Sequence, residues 1–467
     1  MGIDVVVAGG GIAGLSTAFE LHRRGVSCAV LEARSRCGGV ILNEEIDGYT
    51  IDAGPDSLLT QKPAGLELCE QLGLGDRLVP TKAPRLAFIQ RNGRLYGLPA
   101  HSVLGIPTRV GPFLATGLFT WAGKLRMGAE LFVPPRREAG DESIGAFIRR
   151  RFGAEAAAYL AEPLLAGIHA GDVDRLSVRA LFPRLVEAER DYGSLLRAFH
   201  RRPSAELRSP ISENGAFRSL PGGLSEMVRA LIAALPAGTV RLNAAISRIR
   251  GTGPFSVECG ASTVEVRAIV LATPAYATAE LVGDRDRELS RFCGEIPYAS
   301  TATIALAFPR DAVSHPLRGS GFVVPRTEAT GILAASWLSS KWPHRAPQGS
   351  VLLRTFVGGA RDPAALDRSD AEIAARSLAA LRPVLGISGE PLFARVYRFE
   401  RANAQHEVGH LARLEAIERA LARHPGLFLT GSGFRGVGIP DCIADGRATG
   451  AKVADYVRTA HWADSRK

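Results

Sequence analysis

No stretch of this chain is long and apolar enough to cross a membrane. The longest apolar run, GPFLATGLFTWA from Gly111 to Ala122, has about twelve residues where a span needs roughly 20. A contact lying on a membrane surface is the most such a run allows. Cysteine is scarce: the six residues at 28, 37, 69, 259, 293 and 442 include no pair at metal-ligand spacing and form no disulfide framework. Buried thiols in a reducing compartment are expected, and no metal site. Low-complexity tracts and charged tails are missing, so disorder is expected only in the last few residues. The start, Met1-Gly2-Ile3-Asp4, lacks the basic region of a secretory signal, and Val6 stands where myristoylation needs Ser or Thr. A cytoplasmic protein is expected.

What is present is an ordinary folded composition, 46% apolar and 22% charged, in 467 residues, enough for two domains. Net charge is +10, from 57 Lys plus Arg against 47 Asp plus Glu. The basic residues are scattered in short clusters such as Arg149-Arg150-Arg151, without an aromatic-interleaved stripe. That pattern argues against nucleic acid and for an anionic membrane surface or an acidic substrate.

The strongest motif stands at the start. Residues 3–8, IDVVVA, have the β-branched run of a strand buried on both faces. Gly9-Gly10-Gly11-Ile12-Ala13-Gly14 then satisfies G-x-G-x-x-G, a helical pattern runs to Gly25, and a second strand closes on Glu32. Gly9 permits a tight turn, Gly11 lets backbone approach a pyrophosphate, and Gly14 lets helix and strand pack closely. The helix start offers free N–H groups to phosphate. Glu32, eighteen residues after Gly14, is placed for ribose hydroxyls and disfavours a 2′-phosphate. A dinucleotide site follows, with Ala33 beside the acid.

The segments after this unit are Arg36-Cys37-Gly38-Gly39, then Gly54-Pro55-Asp56-Ser57. Near the other end, Leu427-Phe428-Leu429-Thr430 reads as a strand and Gly431-Ser432-Gly433 as a turn. Gly436-Val437-Gly438-Ile439-Pro440 then opens a helix. Their order resembles the flavin amine oxidase superfamily, and the resemblance implies non-covalent FAD in a cradle built from both chain ends. It places Arg36, Gly38 and Gly39 at the pyrophosphate, and Gly54, Pro55, Asp56 and Ser57 near the flavin. The backbone of Ile246 falls at the adenine, and Ser432, Val437, Gly438 and Ile439 at the flavin's other edge.

The rest of the chain reads as an α/β plus α+β architecture: a Rossmann-like FAD-binding domain, an antiparallel-sheet substrate domain and a helical insertion. The FAD domain is expected to be discontinuous, over 1–84, 219–295 and 425–460. Residues 85–218 read mostly helical, with helices at Leu114–Phe132, Asp141–Arg151, Ala154–Leu165 and Arg179–Glu189, and are the candidate membrane-contacting domain. Residues 296–424 alternate as strands (TATIALAFP, GFVVP, ILAASWL, SVLLRTFVG) around one helix, the pattern of a sheet with one wet face.

Within these segments, Leu165-Ala166-Gly167-Ile168-His169-Ala170-Gly171-Asp172 with Leu176-Ser177 resembles the oxygen-dependent protoporphyrinogen and coproporphyrinogen oxidases. So do Gly321-Phe322-Val323-Val324-Pro325, the segment Ala404-Gln405-His406 to Gly409-His410, and Gly436 to Ile443. His406 stands where that family usually has Tyr, and Pro440 where it has Asn. The resemblance implies FAD-dependent six-electron oxidation of protoporphyrinogen IX to protoporphyrin IX, with O2 as acceptor and three H2O2 released. Coproporphyrinogen III oxidation is the alternative, and an amine oxidase or carotenoid desaturase a more distant one. Gly167 would sit at the reacting carbon, Gly321, Val323 and Phe356 along the macrocycle, and Arg85 at a substrate carboxylate, with Arg91 and Arg94 competing. His169, tempting as a base, reads as structural. Expected partners are the porphyrinogen and O2; the membrane surface (on its cytoplasmic face), a second copy of the chain and a ferrochelatase are further candidates.

Overall fold

In a computed structural model of the chain, the described residues are 2–98, 102–103, 106–107, 110–136, 140–201 and 215–459. The opening strand Val5–Ala8 is buried throughout. It pairs in parallel with Cys28–Leu31 on one side and Ala268–Leu271 on the other. Val240–Arg241 and Leu427–Leu429 complete a five-stranded parallel sheet. Helices cover both faces, which is why its strands are continuously apolar rather than alternating.

The two ends of the chain meet here. Helix Ile12–Arg23 packs on the last helix, Ile439–Thr459, and glycines set the spacing. A Cβ at Gly446 would collide with the Ala13 carbonyl oxygen, and one at Gly450 would lie 2.8 Å from that of Thr17. The pairing is locked by Thr17 Oγ1, 2.9 Å from Gly446 O, and by an Arg447–Glu20 ion pair.

The second sheet has seven strands in the order Phe393–Ala404, Tyr298–Pro309, Ser350–Gly358, Ala334–Trp337, Gly321–Val323, Phe88–Arg91, Arg94–Gly97. Three expectations change. The sheet is mixed, because Gly321–Val323 runs parallel to Phe88–Arg91. The hairpin 88–97, grouped above with the helical segment, belongs to this sheet. Its alternation explains this: Phe88 and Leu95 pack into the sheet's own core, while Ile89 and Tyr96 turn to the helical layer. Helix Asp370–Leu385, started by a Ser369–Glu372 capping box, covers the outer face. Helix His410–Leu421, assigned from sequence to the substrate segment, instead buries Ile417 and Ala420 in the core of the dinucleotide domain.

The helical layer is more broken than its periodicity suggests. The expected helix Leu114–Phe132 is Val110–Ala115 followed by Trp121–Gly128, the second restarted by Thr120, whose side chain accepts from Gly123 N. Ser143 caps Ile144–Phe152 in the same way.

Candidate active site

The nucleotide end of the site is built by backbone. Gly9 has φ +105°, and a Cβ there would lie 2.9 Å from Ala272 O. Gly14 is required by packing, since a Cβ would fall on Gly9 O. Gly11 differs: nothing lies within 4 Å of its Cβ position, so open space faces the first turn of the helix, where the N–H groups of Ile12, Ala13 and Gly14 have no helical acceptor. Glu32 is almost buried and accepts from Gly10 N at 2.6 Å and Arg34 N at 2.9 Å. The loop through Gly38 and Gly39 lies alongside, with Gly38 N donating to Gly10 O at 2.8 Å. Ala244 N donates to Glu32 O just before the strand that starts at Ile246, which brings that backbone beside the acid. Helix N–H groups beside open space at Gly11, with the Glu32 carboxylate beyond them, fit the adenosine diphosphate half of FAD. Arg36 turns inward to hold its own loop, donating to Gly39 O at 2.8 Å and to Ile41 O at 3.2 Å.

The flavin-side turns are fastened to the seven-stranded sheet. Gly54, Pro55, Asp56 and Ser57 follow strand Tyr49–Asp52. Arg354, buried on the strand Ser350–Gly358, donates to Gly54 O at 2.6 Å and to Asp52 O. Asp56 accepts from Lys341 Nζ at 2.7 Å and from Trp342 Nε1 at 3.0 Å. Its carboxylate is therefore committed to this cluster, and Ser57 Oγ leans on it at 3.2 Å. Arg345 pairs with Asp52 at 2.7 Å, both side chains fully buried. Sequence reading missed Lys341, Trp342, Arg345 and Arg354. The available signal was Arg354 at an inward position two residues before Phe356.

On the C-terminal side, the last helix begins at Ile439. Asp441 accepts from Gly438 N at 3.3 Å and pairs with Lys62 at 2.5 Å. Ser432 and the residues through Val437 form the turn ahead of that helix, whose Ile439 shares a core cluster with Leu58, the residue after the Gly54–Ser57 turn.

The candidate substrate residues Val323 and Phe356 share one cross-strand row. Register places Ile89, Val323, Ala334, Phe356 and Thr303 directly opposite one another, hence on one face. Thr303 Oγ1 donates to Ala53 O at 2.6 Å, so that face looks onto the flavin-side turn. Val323 and Phe356 are half-buried, and Arg354 stacks 4.7 Å over the Phe356 ring. Ala334, not anticipated from sequence, puts a small side chain between them. Gly321 has a backbone reason for its place: φ is +131°, and a Cβ would collide with Ala335 O.

Gly167 lies in helix Glu162–His169, and its surroundings fall outside the described residues. His169 ends that helix. Burial, reinforced by His406, pushes its pKa down to about 4, and its Nδ1 has no partner, so it is neutral near pH 7. Arg85 donates to Thr81 O at 3.2 Å beside Gly215, and no contact among the described residues joins it to the Val323–Phe356 row. Arg91 is bound to Glu155 and stacked on Tyr159. Arg94 is exposed on the edge strand. No group of metal-ligating side chains occurs among the described residues.

Comparison with known proteins agrees with this geometry. Residues 12–454 match the family of flavin-containing amine oxidoreductases. The chain is 35% identical to coproporphyrinogen III oxidase of Bacillus subtilis (strain 168), over 97% of this chain and 98% of the relative. It is 29% identical to the chloroplastic protoporphyrinogen oxidase of Oryza sativa subsp. japonica, over 97% and 88%. A crystal structure from Exiguobacterium sp. 255-15, provisionally assigned as a protoporphyrinogen oxidase, superposes with a TM-score of 0.86 at 31% identity, covering 97% of this chain and 98% of that one.

Proposed function

This chain belongs to the flavin-containing amine oxidoreductase family and binds FAD, and from that premise we propose that it oxidises a porphyrinogen to its porphyrin in haem synthesis. The observation that carries the proposal is the apolar row Val323, Ala334 and Phe356, set across from the FAD turns in a chain that matches porphyrinogen oxidases over its whole length. The substrate we assign is coproporphyrinogen III. Three bacterial coproporphyrinogen III oxidases, 33–35% identical over 92–98% of their lengths, support it. This reverses the order read from the sequence, where protoporphyrinogen IX stood first. The plant relatives and the Exiguobacterium structure favour protoporphyrinogen IX as the second reading.

Converting the porphyrinogen to the porphyrin removes six electrons and six protons. Three O2 molecules accept them and leave as three H2O2. Bound FAD supplies the two-electron acceptor that O2 reoxidises. The protein's part is orientation. Val323 and Phe356 form an apolar wall for a flat macrocycle, with the small Ala334 side chain between them. Arg354 holds the Phe356 ring and the Gly54 carbonyl together, so wall and flavin turn keep a fixed spacing. Gly167 on the opposing helix presents backbone rather than a side chain to the ring. With its pKa pushed down by burial to about 4, His169 is a weak base, and the departing pyrrole protons are assigned to solvent or a backbone carbonyl. Arg85, Arg91 and Arg94 are the cations proposed for the carboxylates, Arg91 the weakest because Glu155 occupies it.

The helical layer is the proposed membrane contact. It exposes Trp121 (68%), Leu125 (75%) and Phe132 (83%), and no helix among the described residues is long and apolar enough to cross a membrane. Peripheral attachment to anionic lipid is proposed, and flotation with anionic liposomes tests it. A homodimer and hand-off to a ferrochelatase remain proposals.

Aerobic assay of the holoprotein with both porphyrinogens tests the function. Growth of porphyrin fluorescence with peroxide release is expected, faster with coproporphyrinogen III. A yellow, FAD-loaded protein that turns over neither would overturn the proposal.

A further inference from the structure

The family-like segment 404–410 carries His406 in place of a Tyr, and the structure gives that imidazole a definite task. His406 is 2% exposed, and its Nε2 lies 2.9 Å from Ser432 O in the C-terminal turn. Its ring stacks on His410 at 3.9 Å with an 11° tilt, and His410 Nε2 lies 3.1 Å from Phe434 O. A carbonyl only accepts, so both Nε2 atoms carry a proton, and burial lowers both pKa values from the ordinary 6.5, which favours the neutral rings. Two stacked imidazoles thus grip two carbonyls of one turn, spaced two residues apart.

The neighbouring side chain reaches the other way. Gln405, 3% exposed, donates Nε2 to His169 O and to Asn403 O, both at 3.0 Å. Its Oε1 occupies the space that any side chain at Gly171 would need. The main chain ties in as well, with Ser177 N donating to His406 O at 2.9 Å. Successive residues at the end of strand Phe393–Ala404 therefore clasp the two opposed walls of the site: the turn ahead of the last helix, and the end of the helix that carries Gly167.

We propose that His406 is a positioning residue that holds the Ser432–Phe434 turn in the register FAD binding requires, with Gln405 tying that turn to the Gly167 helix. The Gln405 half rests on the porphyrinogen reading above, while the His406 half needs only the flavin. The test compares His406→Phe, which keeps the stack on His410 but has no donor, with His406→Gln, whose amide restores one. In titrations of apoprotein with FAD, the Phe variant should bind about tenfold more weakly, the effect of one buried carbonyl losing its donor. The visible circular dichroism of its bound flavin should change. The Gln variant should return to within about threefold of the parent, with the parent spectrum. Gln405→Leu should keep FAD affinity within about twofold while slowing anaerobic flavin reduction by coproporphyrinogen III about tenfold. Equal FAD affinity of the Phe and Gln variants, or an unchanged flavin spectrum in the Phe variant, would overturn the assignment. His406→Leu serves in place of Phe should the latter not fold. Failure of both apolar variants to fold would reassign His406 to stability alone. If the parent's flavin is reduced by neither porphyrinogen while the Phe/Gln contrast persists, the substrate reading fails and the His406 assignment stands.

Discussion

Asp56 Oδ2 lies 2.7 Å from Lys341 Nζ, a buried ion pair that fastens the Gly54–Ser57 turn to the sheet proposed as the substrate wall. Arg354 approaches the same oxygen at 3.6 Å, and Trp342 donates to it. Burial by itself would raise the carboxyl's pKa. The two cations outweigh burial and hold it well below the usual carboxylate range. Asp56→Asn removes the anion and leaves two buried cations uncompensated, which should cost about 3–5 kcal/mol. Chemical denaturation of the holoprotein measures it. Because the folded pKa is depressed, the stabilisation is present above the unfolded value of 3.8 and is lost as pH falls through the folded one, a loss the Asn variant should not show.

Histidines should govern stability on the mildly acid side. Burial pushes His169 to about 4 and His410 to about 3, against 6.5 when unfolded. Between about 6.5 and 4 the unfolded chain takes up protons that the folded chain refuses. Stability should fall on acidification by up to about 1.4 kcal/mol per pH unit for each group. Melting temperatures from pH 7 to 4.5 check the sign, and His410→Gln should flatten the slope.

The glycines of the first turn should separate cofactor binding from folding. Gly11→Ala meets no protein atom within 4 Å, so apoprotein melting should barely move while FAD affinity drops at least about tenfold. Gly14→Ala collides with Gly9 O and should lower the melting temperature of the apoprotein itself. Equal apoprotein stability in both variants would contradict this.

The small side chain at Ala334 should set substrate fit. Ala334→Leu adds bulk between Val323 and Phe356 and should lower kcat/KM for coproporphyrinogen III by about tenfold or more, with FAD affinity unchanged. Steady-state kinetics and an FAD titration on the same preparation decide it.

How much of this was legible beforehand follows from the range of each interaction. The dinucleotide unit was readable because its parts are contiguous: a β-branched strand, glycines at fixed offsets, and Glu32. The strands behind Val323 and Phe356 were readable from alternation. The hairpin 88–97 went to the wrong layer because a two-strand pattern does not say which sheet it joins, and the Leu114–Phe132 helix was overextended because apolar content masked the Thr120 cap. Asp56 was expected beside the flavin. The residues that claim its carboxylate, Lys341 and Trp342, lie 285 and 286 positions away, and no local pattern announces them.

The sequence by itself determined that this chain folds a parallel dinucleotide unit and binds FAD, because strand burial, glycine turns and a helix N-terminus are local consequences of consecutive residues. Only the tertiary structure decided how that cradle meets its substrate wall. Ion pairs such as Asp52–Arg345 and Asp56–Lys341, the clasp of Gln405 and His406, and the Val323–Ala334–Phe356 row all depend on which distant strands come into register. That register is chosen by packing summed over the whole molecule, which no short segment encodes.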